Sequence, residues 1–354
     1  MPRRRFSRRT RRRLRLLRTV LVLAAIVWAV GAWRSSAGGP ATVAVAAAPL
    51  RPAPTRPAPT KPATTQAATL GPPTTTTASG PHRLGVMTIT FLDSHRPGPP
   101  RAATPNRALD TVIRYPIAGD PAAPDLTNAP ASGGPFPLVA FAHGFDIAPT
   151  SYDQLVRTWA RAGYVVASPA FPGTVAGPGA DESDVPNQVI DLAFVITSVE
   201  DLGGPLAGAV DPTKVAVAGH SDGAETVAGL ALDSCCVDPR VKASIVMAGA
   251  ELALPGGHYP GTPHAPTLIV QGDADQMNPP AAAQQLFVDV TGPKWYVDLI
   301  GAGHEAPFTD PAPGVAEVTT DFLDWQVKGM AAAGQRFSAD GQRDRGLTIV
   351  GQGH

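Results

Sequence analysis

Short apolar runs alternate with longer amphipathic segments from residue 86 onward, and this pattern predicts an ordered succession of strands and helices. Apolar runs rich in β-branched residues and bounded by turn residues predict eight strands, over residues 86–92, 111–115, 138–142, 164–168, 215–218, 243–247, 267–271 and 295–300. Segments with apolar residues at helical spacing predict five helices, over residues 152–161, 187–202, 225–232, 281–288 and 315–330.

From residue 138 onward strand and helix largely alternate, which is typical of α/β proteins. The pattern predicts a mostly parallel eight-stranded sheet with helices on both faces, in a domain over residues 83–334. Only residues 249–266 separate the sixth predicted strand from the seventh, so we expect no large cap domain there. In such sheets the reactive groups gather at the carboxyl ends of the strands.

One junction between a strand and a helix has the form of a nucleophile elbow. The segment KVAVAGHSDGAETVAGLAL contains an apolar run, then Gly219-His220-Ser221-Asp222-Gly223, then an Ala-rich helical pattern. A sharp turn at this point presents the Ser221 hydroxyl above the sheet, and the two glycines leave room for the close backbone contacts. The pattern predicts nucleophilic catalysis by Ser221.

A second predicted strand, residues 138–142, is followed by His143-Gly144-Phe145. A tight turn there can direct the backbone N–H of Phe145 toward the nucleophile. Together with the N–H of Asp222 it would form an oxyanion hole, the donor pair that stabilises a tetrahedral intermediate.

The base and the acid that serine requires follow two later strands. His304 comes after the turn Gly301-Ala302-Gly303, and it is the histidine that we expect to take the proton of Ser221. Asp273 and Asp275 share one loop, and either can orient that base, with Asp275 favoured.

Five segments in this order resemble the α/β-hydrolase superfamily: PLVAFAHGF, GYVVASPAFPG, VAVAGHSDGA, LIVQGDADQMNPP and GAGHEAP. Within it the chain is similar to the serine esterase branch of platelet-activating-factor acetylhydrolase, chlorophyllase, dienelactone hydrolase and bacterial polyester hydrolases. In that branch the acid stands three residues after the strand-ending glycine, which maps to Asp275 and leaves Asp273 as the alternative. The resemblance also implies Ser221 and His304 as nucleophile and base.

Two features of the segment after Ser221 depart from the family pattern. Asp222 is acidic where many relatives carry Met, Gln or Arg, and a carboxylate there opposes a developing oxyanion unless it turns away or pairs with a cation. Cys235 and Cys236 are adjacent and are the only two cysteines, so they form either a vicinal disulfide or two thiols.

The net charge of zero conceals strongly different regions. Ten Arg and no acid occupy residues 1–18, and an uncharged apolar run follows over residues 19–33, the order of an export signal or a single-pass anchor. Residues 1–37 are therefore interpreted as that signal or anchor, and the Pro/Thr-rich residues 38–82 as a disordered linker. Residues 335–354 are interpreted as a C-terminal tail.

These observations predict a secreted or membrane-tethered serine carboxylic-ester hydrolase with a Ser221–His304–Asp275 triad. We expect a monomeric catalytic domain that acts on a small-molecule or polymeric ester and binds no nucleic acid, cofactor or metal ion. An acyltransferase or serine peptidase with the same triad is the alternative within enzymes. A non-catalytic cell-surface binding protein on a hydrolase scaffold is the alternative of another class.

Overall fold

A computed structural model of the protein describes residues 80–100, 105–309, 314–341 and 346–352. The predicted signal or anchor and all but the last three residues of the predicted linker lie outside these described residues. Across the described ranges, no helix is both long enough and apolar enough to cross a membrane.

Within the described ranges the sheet has ten strands, and the strands at its centre pair in parallel. Six strands, β4 to β9, pair in parallel in the spatial order β9-β8-β7-β6-β4-β5, and β2 and β10 add antiparallel edges to this group. Beyond β2 the sheet continues through β1, and a two-residue strand, β3, pairs with β1. The strands are β1 (Arg83–Pro97), β2 (Asn106–Ile117), β3 (Leu126–Thr127), β4 (Phe136–Ala142), β5 (Val165–Ala170), β6 (Val210–His220), β7 (Val241–Met247), β8 (Thr267–Gly272), β9 (Lys294–Leu299) and β10 (Leu347–Gln352).

Seven α-helices, some preceded by short 3-10 turns, cover both faces of the sheet in the described ranges. They are α1 (Asp153–Arg161), α2 (Val185–Glu200), α3 (Asp222–Leu232), α4 (Pro280–Asp289), α5 (Ala306–Thr309), α6 (Val315–Gln326) and α7 (Ala331–Asp340).

The core consists of two layers because successive side chains of a strand point to opposite faces. Leu138 and Ala140 of β4 pack in one layer with α2, α3 and α4. Val139 and Phe141 of the same strand pack in the other layer with α1, α6 and α7. The continuous burial of the parallel strands explains why they appear in the sequence as uninterrupted apolar runs.

The fold class is the predicted one, a mostly parallel sheet with helices on both faces, but the sheet has ten strands and not eight. The structure also corrects the interpretation of residues 335–354 as a tail. Helix α7 runs across the proposed boundary at residue 335, and β10 pairs with β9 from Leu347 to Gln352. Strand β10 escapes prediction as part of the sheet because its pattern is short and its partner lies about fifty residues earlier.

Residues 248–266, between β7 and β8, contain no helix, as expected for a fold without a large cap domain. This segment therefore forms no helical cap over the carboxyl ends of the strands.

The pairing of β10 gives a test of its contribution to stability. We expect Leu347→Ala to lower the free energy of unfolding by about 2–4 kcal/mol, because Leu347 is buried in the layer with α6 and α7. Thr348→Ala, at the exposed neighbouring position, should change it by less than about 0.5 kcal/mol. Urea unfolding measures both, and equal small effects would show that β10 is not part of the folded core.

Candidate active site

The turn from β6 into α3 is built on close backbone contacts. A Cβ added to Gly219 would lie 2.2 Å from the carbonyl oxygen of Gly223, and one added to Gly223 would lie 2.2 Å from that of Ala142. Ser221, between them, has φ 56° and ψ −127°, a conformation that non-glycine residues rarely adopt. Its N–H donates to the carbonyl of Met247 (3.0 Å), and its carbonyl accepts from Ala224 and Glu225 in the first turn of α3.

Ser221, His304 and Asp275 form a continuous line of hydrogen bonds. Nε2 of His304 lies 3.0 Å from Oγ of Ser221, and Nδ1 lies 2.8 Å from Oδ2 of Asp275. A carboxylate can only accept, so Nδ1 of His304 carries the proton and donates it to Asp275. Nε2 is then free to accept the hydroxyl proton of Ser221, which is the arrangement that a general base requires.

The two candidate acids occupy different positions. Asp275 is 4% exposed and accepts from His304, whereas Asp273 is exposed and its Oδ1 accepts the N–H of Gly301 at 2.6 Å. The geometry therefore selects Asp275 as the partner of His304.

Further donors hold Asp275 in its charged form. Its Oδ1 accepts the N–H groups of Met277 and Asn278, and its Oδ2 accepts an N–H of Gln271. Burial acts to raise the pKa of Asp275, but the hydrogen bonds from His304 and the backbone outweigh it, and the pKa is lowered. Asp275 is thus an anion beside His304 at neutral pH.

The two expected oxyanion donors belong to the turn after β4 and to the start of α3. Phe145 follows β4 in a turn where a Cβ on Gly144 would lie 3.1 Å from Cβ of Ser221. Asp222 is the first residue of α3, where the N–H groups have no acceptor within the helix. Both N–H groups therefore belong to backbone segments that adjoin the hydroxyl.

His143 holds the turn that carries Phe145. Its Nδ1 donates to the carbonyl of Gly144 (2.8 Å), and its Nε2 accepts the N–H of Phe171 (3.0 Å). Burial lowers the pKa of His143 to about 4, partly offset by the bond to Gly144, so the ring is neutral. This ring fixes the direction of the peptide group between Gly144 and Phe145.

The loop over residues 171–186 forms a wall beside this turn. The N–H of Asp146 donates to the carbonyl of Thr174 (2.8 Å), and the N–H of Gly177 donates to Oδ1 of Asp146 (3.1 Å). At the end of the loop, Asp184 forms an ion pair with the buried Arg107. The loop is thus fixed at both ends.

Three residues of the site were not predicted from the sequence: Tyr152, His220 and Gln271. All three are fully buried and hydrogen-bonded to groups of the site. Gln271 and His220 could have been suspected, because each is a polar residue at the end of an otherwise apolar strand. Tyr152 carries no such signal.

Asp222 lies in an acidic group with Glu225 and Glu182. Burial raises the pKa of Asp222, and the charge of Glu182 adds to this effect. Burial, then Asp222 and Glu182, raise the pKa of Glu225 to about 7. In the part of the chain that the structure describes, no Lys or Arg pairs with any of the three, and Oδ2 of Asp222 is buried without a hydrogen-bond partner.

Cys235 and Cys236 are joined by a disulfide just after α3. The N–H of Cys235 donates to Oδ1 of the buried Asp233, and Cys235 itself is exposed. Of the two states considered for this pair, the structure contains the vicinal disulfide.

A cavity of about 710 Å³ adjoins His304. Its lining is mainly apolar and includes Met277 and Ile300, which are 72% and 54% exposed. Within the described ranges, no group of three or more His, Cys, Asp or Glu side chains is arranged to hold a metal ion.

The raised pKa of the half-buried Glu225 gives a pH-dependent prediction. Its pKa of about 7 in the folded protein exceeds the ordinary value of 4.5, so the folded state binds the extra proton and loses stability as the pH rises through this range. We expect Glu225→Gln to raise the free energy of unfolding by about 2 kcal/mol at pH 8 and by much less at pH 5.

Urea unfolding at several pH values measures this difference, with Glu317→Gln at an exposed helical position as the matched control. A gain for Glu225→Gln that is the same at pH 5 and pH 8 would contradict the prediction.

The model of the chlorophyllase family matches residues 108–249. Two uncharacterized proteins, from the CDC 1551 / Oshkosh and H37Rv strains of Mycobacterium tuberculosis, are each 31% identical to the chain over 119 residues, which is 28% of this chain and 40% of each relative. The match therefore spans less than half the length of these curated relatives.

A solved structure, a ferulic acid esterase from Streptomyces cinnamoneus, superposes with a TM-score of 0.59 at 20% sequence identity, over 72% of this chain and 93% of that one. At this identity the likeness establishes the fold. The family match covers the stretch from β2 to the end of β7, which includes the elbow. The chain has the α/β-hydrolase fold, and over residues 108–249 it is similar to the chlorophyllase family.

Proposed function

We propose that the protein is a serine hydrolase of carboxylic esters that acts through a covalent acyl-enzyme. The observation that carries the proposal is the line of hydrogen bonds from Asp275 through His304 to Ser221, at the turn where the family match and the elbow coincide. The names of the matched family and of the solved relative, chlorophyllase and ferulic acid esterase, favour an ester over other acyl substrates.

In the proposed reaction, Nε2 of His304 takes the proton of Ser221 as Oγ attacks the ester carbonyl carbon. Asp275 stabilises the imidazolium that forms. The N–H groups of Phe145 and Asp222 bind the oxyanion of the tetrahedral intermediate. His304 then donates its proton to the leaving alcohol, and water, deprotonated by the same ring, releases the acid from Ser221.

We also propose that the catalytic domain works outside the cytoplasm, either secreted or attached to a membrane through residues 1–37. Two observations support this. The basic cluster and the apolar run that follows it have the order of an export signal. The Cys235–Cys236 disulfide is typical of oxidising compartments.

The substrate proposed for this site is an ester with an apolar part next to the scissile bond. The lining of the cavity beside His304 includes Met277, Ile300 and Ala302, and the described residues 248–266 form no helical cap. Burial of the substrate's apolar part against this lining would stabilise the complex by about 0.8 kcal/mol for each fully buried methylene.

Substitution of the three central residues tests the reaction. We expect Ser221→Ala to abolish hydrolysis of p-nitrophenyl acetate and labelling by a fluorophosphonate, because the nucleophile is lost. Asp275→Asn should lower kcat by about 10³- to 10⁴-fold, since the amide no longer stabilises the imidazolium. Asp273→Asn, which changes the other carboxylate of the same loop, should retain kcat within about three-fold.

Undiminished turnover in Ser221→Ala would reject the serine mechanism. If Ser221 is not labelled and no p-nitrophenyl ester is cleaved, the scaffold serves in binding and not in catalysis. If an added alcohol captures the acyl group faster than water does, the protein is an acyltransferase.

A second test concerns the apolar cavity. We expect Met277→Asp to lower kcat/KM for p-nitrophenyl octanoate at least five-fold more than for p-nitrophenyl acetate, because the octanoyl chain reaches the cavity and the acetyl group does not. Val288→Asp, at an equally exposed position on α4 outside the cavity lining, is the control. Equal losses for both esters would show that the cavity does not contact the acyl chain.

A further inference from the structure

Behind the proposed triad, three hydrogen bonds run in series through two buried rings. The N–H of Gly144 lies 3.0 Å from Oη of Tyr152, and this oxygen lies 3.0 Å from Nδ1 of His220. Nε2 of the same histidine lies 2.9 Å from the carbonyl oxygen of His304. We call this series the Tyr152–His220 relay of hydrogen bonds. It is a separate network from the line that joins Asp275, His304 and Ser221.

Only one assignment of protons satisfies all three bonds. The carbonyl of His304 can only accept, so Nε2 of His220 carries a proton. Burial lowers the pKa of His220 to about 3, which its bond to His304 only partly offsets, and the ring is therefore neutral. Nδ1 then accepts from the hydroxyl of Tyr152, whose oxygen accepts the N–H of Gly144.

The relay is enclosed by aromatic rings. Tyr152 and His220 are fully buried, and the ring of Phe308 lies 4.3 Å from the first and 4.7 Å from the second between centroids. Phe141 packs on Tyr152 at 4.7 Å. Because both side chains are fully buried, each polar group of the relay depends on the others for its hydrogen bond, and losing one leaves its neighbours unsatisfied.

The relay connects three separate loops. Gly144 belongs to the turn after β4 that carries Phe145, His220 ends β6 next to Ser221, and His304 lies in the loop after β9. The three groups of the proposed reaction, an oxyanion donor, the nucleophile and the base, are therefore attached to one rigid series of bonds. In the described part of the sheet β6, β7 and β8 lie between β4 and β9, so these two strands do not pair with each other.

We propose that Tyr152 and His220 are positioning residues that set the distance between the oxyanion donor on the β4 turn and His304. This inference rests on the proposed ester hydrolysis. Neither side chain needs to touch the substrate: His220 holds the backbone carbonyl of His304, and Tyr152 holds the backbone N–H of Gly144, the residue before Phe145. A displacement of about 1 Å in such a constellation lowers rates by up to about 100-fold.

Tyr152→Phe is the sharpest test, because it removes the hydroxyl and keeps the ring that packs on Phe308. We expect kcat for p-nitrophenyl acetate to fall by about 10- to 100-fold, because the reacting groups are displaced from their positions, and KM to stay within about two-fold. Tyr164→Phe is the matched control. Its hydroxyl is equally buried and donates to Asp324 at 2.9 Å, but it lies at the amino end of β5, opposite the site.

A pair of variants at His220 tests the other end of the relay. His220→Gln keeps an N–H donor near the position of Nε2, whereas His220→Leu keeps none. The glutamine variant should therefore retain at least five-fold more kcat than the leucine variant. The Tm of each variant, measured by thermal unfolding, shows whether a lower kcat is accompanied by a loss of the folded state.

The proton assignment can be read in the wild-type protein, even if the variants do not fold. We expect the ¹⁵N NMR spectrum of His220 to show a neutral ring protonated on Nε2 from pH 5 to pH 8. A charged ring or a proton on Nδ1 would overturn the relay, as would a kcat for Tyr152→Phe equal to that of Tyr164→Phe. Failure of the proposed function is a different result: the wild type would then neither cleave p-nitrophenyl acetate nor react with a fluorophosphonate at Ser221.

Discussion

The strand-to-helix turn at Ser221 leaves no space for a side chain on either flanking glycine, and the geometry of the whole site depends on this contact. The turn brings the start of α3 against the end of β4, so that Gly223 touches the backbone of Ala142. The strained conformation of Ser221 costs about 1–3 kcal/mol, which the packed sheet around it must offset. Strand β6 is paired with β4 on one side and with β7 on the other. The N–H of Ser221, just after β6, donates a hydrogen bond to the carbonyl of Met247 at the end of β7.

The contact at the elbow also explains why the other groups of the site come from loops after parallel strands. The carboxyl ends of parallel strands lie at one edge of the sheet. Four residues of the site follow strands that end at this edge: Phe145 after β4, Ser221 after β6, Asp275 after β8 and His304 after β9. The sequence separation between these residues is large, so local contacts cannot align them. Hydrogen bonds between loops provide that alignment. Nε2 of His143 accepts the N–H of Phe171 after β5, and the relay joins the β4 turn to the loop after β9.

The fold and most of the site residues follow from the sequence because their causes are local. A buried parallel strand must be apolar on both faces, and the elbow requires glycines at fixed spacing, so both leave a pattern in the chain. The residues alone left two candidates for the acid, Asp273 and Asp275. The structure distinguishes them because Asp273 accepts the N–H of Gly301, whereas Asp275 accepts from His304. Tyr152 and β10 were beyond prediction, because each acquires its role from partners far away in the sequence.

The ion pair between Arg107 and Asp184 has a consequence for how a substrate meets the protein. Arg107 is 2% exposed and also contacts Asp191 on α2, so the end of the wall loop is fastened to the body of the domain without any ligand. The conformational entropy of this loop is therefore lost during folding and not during binding. For the proposed ester substrate the wall is preorganised, and the affinity would not be reduced by the cost of ordering that loop.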